Sequence, residues 1–92
     1  MNHDEQRQRV ALAPNLAALA VAEHDWDVFA QLRSLKELAT RDGKPYLVLE
    51  LADVHAVVEA KIWADAADAM ASAKATAPLA FVKVRGRVKE WQ

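Results

Sequence analysis

A chain of 92 residues holds one domain, because two hydrophobic cores do not fit in that length. Lys and Arg together number 12 against 13 Asp and Glu, a formal net charge of -1, so this protein does not coat nucleic acid by bulk charge. Any anion site must rest on local placement of its basic side chains. Cysteine is absent, which excludes disulfides, thiolate–metal sites and cysteine nucleophiles and agrees with a cytoplasmic location.

Residues 1–9 are polar, and a frayed terminus is expected there. The short apolar run that follows is broken at Pro14 and Asn15. It has neither the basic start of a secretory signal nor the roughly 20 apolar residues of a membrane span. Residues 14–22 suit a short helix with Asn15 as N-cap. In a second reading, Leu16, Leu19 and Val21 plug one open end of a barrel. The expected organisation is a flexible or short helical segment over residues 1–24, followed by one β domain over residues 25–92.

From Trp26 the pattern takes a period of two, with Trp26, Val28, Ala30 and Leu32 alternating against Asp27, Phe29, Gln31 and Arg33. Residues 40–45, Thr-Arg-Asp-Gly-Lys-Pro, form a turn signal around Asp42-Gly43, and Pro45 suits the first position of a strand. Residues 46–51 read as a second strand, with Leu47, Leu49 and Leu51 on one face and Tyr46, Val48 and Glu50 on the other. Asp53-Val54-His55 is a short connection. A third strand covers residues 57–63, with Val58, Ala60 and Ile62 opposed to Glu59, Lys61 and Trp63. Residues 65–74 are rich in alanine and free of β-branched residues, which predicts a helix with Asp65 as cap or first-turn acid. Pro78 ends it. Residues 80–91 form the last strand, with Phe81, Lys83, Arg85, Arg87 and Lys89 alternating against Val82, Val84, Gly86 and Val88.

Strand, strand, strand, helix, strand is the order of an OB barrel up to its fourth strand, and no fifth strand follows in the sequence. The predicted fold class is therefore all-β with one helix, an OB-fold Greek-key β-barrel lacking or replacing its fifth strand. An uncovered edge in such a barrel invites a second chain, so a homodimer is a corollary.

Residues 40–47 (TRDGKPYL), 59–63 (EAKIW) and 82–88 (VKVRGRV) carry a resemblance. Together they resemble the nucleic-acid-binding OB domains, similar to anticodon-binding domains, at the front of bacterial 3′-to-5′ exoribonucleases that carry an HD domain. Related modules occur in DNA polymerase III alpha subunits and some aminoacyl-tRNA synthetases. The resemblance implies an OB fold that binds single-stranded nucleic acid. Three departures stand out. Asp53-Val54-His55-Ala56 replaces the family's acidic-plus-glycine turn, Ala77-Pro78-Leu79-Ala80 replaces its Gly-Asp, and the fifth strand is missing.

Single-stranded nucleic acid is held by cations for phosphates and aromatic faces for bases. Lys83, Arg85, Arg87 and Lys89 alternate on one face of the last strand, between Phe81 and Trp91. Tyr46, Lys61 and Trp63 point outward from the two preceding strands, and Lys36, Arg41 and Lys44 surround the first hairpin. Each has a plainer reading: alternating cations are most often a solvated sheet face, and Trp63 is as apt to pack under the helix. Trp26 and Phe29 read as barrel-closing residues. Glu50 and Glu59 share the candidate face and repel phosphate.

For catalysis the sequence offers little. His3, His24 and His55 lack metal-ligand spacing, Asp65 and Asp68 read as solvated helix acids, and Gly43 and Gly86 are the only glycines, so no phosphate-cradling loop exists. A non-enzyme without cofactor or metal is expected. The competing reading is an OB-type protein–protein interaction or assembly domain, such as a truncated module of a longer nuclease or replication protein.

Overall fold

The computed structural model describes residues 10–90. It contains β1 (Val10–Leu12), a 3-10 turn (Leu16–Ala18), β2 (Asp25–Ala39), β3 (Pro45–Ala52), β4 (Val57–Ile62), α1 (Ala67–Ala75) and β5 (Phe81–Gly86). The strands form one curled, half-barrel sheet. All-β with one helix is thus the architecture, and the order of the last five elements is the one the sequence predicts.

β2 is the spine of the sheet. Its amino-terminal half pairs antiparallel with β5, from Trp26 opposite Gly86 to Gln31 opposite Phe81, and parallel with β1 on the other side. Its carboxy-terminal half pairs antiparallel with β3, from Gln31 opposite Ala52 to Ala39 opposite Pro45. The register shifts between Leu32 and Ser34, so Arg33 occupies a bulge. An extra residue there swaps the parity of the strand and bends it. Val28, Ala30 and Leu32 face the core before the bulge, and Leu35 packs against the core after it. One strand can thereby serve two directions of a curled sheet.

The core is set by alternation. Leu47, Leu49 and Leu51 of β3 are buried against Val28, Ala30 and Leu32 of β2, with Val58, Ala60 and Ile62 of β4 and Val82 and Val84 of β5 at its margins. Fully burying one such leucine contributes about 1.5–3 kcal/mol. α1 covers this face with few side chains: Met70 is buried, Ala73 is partly so, and Lys74 reaches Glu37 of β2 at 2.8 Å.

Connections follow their residues. At the β2–β3 turn, Gly43 has φ +88°, the left-handed region in which glycine carries no steric cost, and the Thr40 hydroxyl accepts from the Lys44 N–H. Leu79, just before β5, adopts φ +66° without that freedom. This geometry aims its N–H at the Leu32 carbonyl, 3.0 Å away, and so extends the β2–β5 ladder.

The amino-terminal segment is tied in. Asn15 caps the 3-10 turn by accepting from the Ala18 N–H, as its residue type predicts. Leu16 is buried and Leu19 packs against the core, whereas Val21, expected beside them, is exposed. Asp53 fixes this arrangement. One carboxylate oxygen accepts from the Leu16 N–H at 2.8 Å, and the other from the N–H groups of His55 and Ala56. The Leu16 N–H above all, then the two turn N–H groups, holds the Asp53 carboxyl below the usual range.

Three local expectations are corrected. α1 begins at Ala67 with Ala66 at the cap position and no side-chain cap bond, so Asp65 does not cap it. β5 ends at Gly86 rather than continuing to residue 91, because the ladder with β2 ends where Trp26 meets Gly86. Phe29 closes nothing: it lies on the odd-numbered face of β2, away from the core, and is exposed.

Candidate functional site

On the side of β2, β3 and β4 away from the core, the registers stack side chains into three rows. Leu38, Tyr46 and Trp63 form the row nearest the β2–β3 turn. Lys36, Val48 and Lys61 form the next, and Ser34, Glu50 and Glu59 the third. Strand rise separates successive rows by roughly 7 Å. All three exist because Leu47, Leu49 and Leu51 take the core face and turn their alternate neighbours outward.

The Tyr46 and Trp63 rings lie 5.0 Å apart at an interplanar angle of 30°, a tilted pair whose separation is within the favoured range for aromatic contact. Trp63 keeps about half its surface open (48%), so it does not pack under α1. The Lys61 ammonium stands 5.7 Å from the Trp63 ring centroid, within cation–π reach. Lys36 is exposed in the row beside Tyr46, and Arg41 and Lys44 are exposed in the turn at the end of the same strands. A shallow open depression of about 300 Å³ lies toward the third row, lined by Ser34, Lys36, Val48, Glu50 and Glu59.

On β5 the basic side chains meet a different environment. Phe81, Lys83 and Arg85 project away from the core, but β2 places Asp27 opposite Arg85. Asp27 is buried, flanked in the ladder by Leu12 of β1 and Arg85 of β5. Its two oxygens accept from Arg85 Nε at 2.7 Å and Nη2 at 2.9 Å, a bidentate fork, while Lys83 Nζ stands at 3.5 Å. The Arg85 hydrogen bonds, outweighing burial, hold the Asp27 carboxyl low, and the same contact pushes the Arg85 guanidinium higher. Arg87, one residue past the strand, donates to Asp25 at 3.1 Å. Lys89 is exposed beyond the end of β5, and Trp91 lies outside the described residues.

The ten basic and aromatic residues singled out in the sequence thus fall into two groups. Lys36, Arg41, Lys44, Tyr46, Lys61 and Trp63 share one face and its adjoining turn. Lys83 and Arg85 lie on β5 and Arg87 just past it, their charge largely balanced by Asp25 and Asp27, and Lys89 follows them. The sequence reading missed Asp25 and Asp27, whose alternation against Trp26 and Val28 was visible but whose strand partner was not. It also missed Asp53, which an Asx-turn reading of Asp53-Val54-His55 would have flagged. Among the described residues, no group of three or more His, Cys, Asp or Glu is arranged to hold a metal ion. Among the same residues, no helix is long and apolar enough to cross a membrane.

Comparison of the chain with protein-family models, with curated proteins and with solved structures gave no match.

Proposed function

We propose that this chain is an OB-type module that binds single-stranded nucleic acid without catalysing a reaction, on the outer face of β2, β3 and β4. The observation that carries this reading is the Tyr46–Trp63 pair, its indole about half exposed, with Lys61 beside it. Rings of this kind offer a stacking platform that any base can use, and the adjoining cations suit its phosphates. The track runs from Arg41 and Lys44 in the turn, past Tyr46 and Trp63, to Lys36 and Lys61. Supporting the OB assignment, a meander of three strands is followed by a helix and then a strand that returns to the first, antiparallel. Lys83, Arg85 and Arg87 serve mainly to hold β5 on β2 in this reading, with Lys83, the loosest of the three, at the margin of the site.

The test is fluorescence anisotropy of labelled single-stranded DNA and RNA at low and near-physiological salt. Binding should weaken with salt at a log–log slope of about −2 to −3, as three or four phosphate contacts require. A folded protein that binds neither oligonucleotide at low salt refutes the reading and ranks the alternative first. That alternative is an OB-type interaction or assembly domain. The exposed Phe29 and Phe81, diagonal neighbours on β2 and β5, favour it. It requires a defined protein partner and no salt-dependent oligonucleotide binding.

A further inference from the structure

Among the described residues, β4 pairs with β3 on one side and with no strand on the other, and β5 pairs only with β2. Both strands therefore offer rows of backbone donors and acceptors that another strand can use. What their side chains permit is different. Directly opposed residues in an antiparallel pair lie on the same face, so a two-fold pairing of a strand with its own copy must be centred on a single residue. On β5, centring on Val84 sets Lys83 against Arg85, and centring on Lys83 sets it against itself. Either arrangement opposes like charges, and centring on Val82 sets Phe81 against Lys83, so β5 offers its own copy no charge-complementary register.

β4 gives one register of another kind. Centred on Ala60, it sets Glu59 of each copy against Lys61 of the other, and Val57 against Trp63, on the outer face. On the inner face it sets Val58 against Ile62 and Ala60 against Ala60. Every pair is complementary in charge or apolar on both sides. Centring on Glu59 or Lys61 instead opposes like charges, and centring on Val58 sets Val57 against Glu59. Two features of the single chain point the same way. Val57 and Trp63 are each about half exposed, at 56% and 48%. Glu59 stands directly opposite Glu50 across the β3–β4 ladder, a like-charge pair that gains a cation when Lys61 of a second copy arrives on its other side.

We propose that the free edge of β4 is a self-recognition surface, and that two copies of this chain join there antiparallel about Ala60 into one continuous sheet. The Tyr46–Trp63 pairs of both copies then lie on one outer surface. This inference does not depend on what that surface binds. A six-residue edge is smaller than a standard interface, so the dissociation constant is expected on the order of micromolar.

The experiment is sedimentation velocity of the full chain across a concentration series, with charge-reversed variants. Glu59→Lys places lysine against lysine at both outer pairs, and Lys61→Glu places glutamate against glutamate. Each alone should weaken self-association at least about tenfold. Mixing the two variants restores opposite charges at both pairs and should yield a heterodimer, and E59K combined with K61E in one chain should dimerise as the unaltered chain does. Circular dichroism verifies that each variant is folded, and the mixture retains the test if one variant is less stable. A chain that stays monomeric up to about a millimolar overturns the proposal. So does a dimer that neither single reversal weakens, or a mixture that does not associate.

Discussion

Along β2, the face turned away from the core changes character at the Arg33 bulge. Before it, Asp25 and Asp27 lie beside the cations of β5, and Arg85 is held by two hydrogen bonds to a buried carboxylate. After it, Ser34 meets Glu50 and Glu59, but Lys36 faces Val48 and Lys61 rather than an acid and stands in the row next to the Tyr46–Trp63 pair. Both halves carry basic and aromatic residues, and a count of residue types does not tell them apart. The register does. A guanidinium already bound bidentate to a carboxylate gains little from a phosphate, because it must first give up contacts of similar strength. The amino-terminal half of β2 is therefore a clasp, and the carboxy-terminal half carries the proposed platform.

Several substitutions test that division. The largest effect is expected below the platform. Leu47→Ala removes a fully buried side chain and should cost about 2–5 kcal/mol of stability, read from urea unfolding. A loss below 1 kcal/mol would mean that the three leucines of β3 do not organise the core. Trp63→Ala should weaken oligonucleotide binding by about 1–3 kcal/mol with a much smaller change in the urea midpoint. Arg85→Ala should show the reverse, a lower urea midpoint with affinity retained. If Arg85→Ala instead abolishes binding at unchanged stability, clasp and platform have been assigned the wrong way round.

Acid titration sharpens the contrast. Asp27 and Asp53 are both held below their ordinary value of 3.8 in the folded chain. Their stabilisation is complete above that value and is lost as pH falls below it toward the folded values. Thermal unfolding should be insensitive to these two groups at neutral pH and fall below about pH 4. Asp27→Asn should flatten part of that fall, and an unaltered profile would show that the clasp contributes nothing through its charge. The smallest effect belongs to the turn. Lys44→Ala should reduce the salt slope of binding by about 0.7, the share of one phosphate contact to a single strand, and an unchanged slope would remove the turn from the track.

β2 to β5 were legible in the sequence because period-two alternation, the Asp42-Gly43 turn and Pro45 all agree on where chain direction changes, whereas β1 falls in the segment expected to be flexible or helical. The outer rows were legible for the same reason: once Leu47, Leu49 and Leu51 claim the core on one strand and Val58, Ala60 and Ile62 on the next, Tyr46, Lys61 and Trp63 must face away from it. What alternation cannot supply is the identity of a strand's neighbour. Asp27 sits opposite Arg85 because β5 returns to β2 in one particular register, and nothing within either segment encodes that pairing. Asp65 illustrates a local limit. Its residue type suits a cap, yet α1 starts two residues later, at Ala67, with no side-chain cap at all.

β2 also sets an order of events for the chain. Its platform half meets β3 across one tight turn, a local closure of the kind that takes microseconds. Its clasp half waits for a strand far along the sequence, since Asp27 and Arg85 are 58 positions apart. Loop-closure entropy must be met before so distant a contact contributes. Substitutions at Asp27 or Arg85 should therefore act mainly on the unfolding limb of a stopped-flow chevron, and those at Gly43 or Leu47 on the folding limb. A slowed folding limb in Asp27→Asn would place the clasp in the nucleus instead. On this account the hairpin governs how fast the protein is made, and one carboxylate fork governs how long each molecule stays folded.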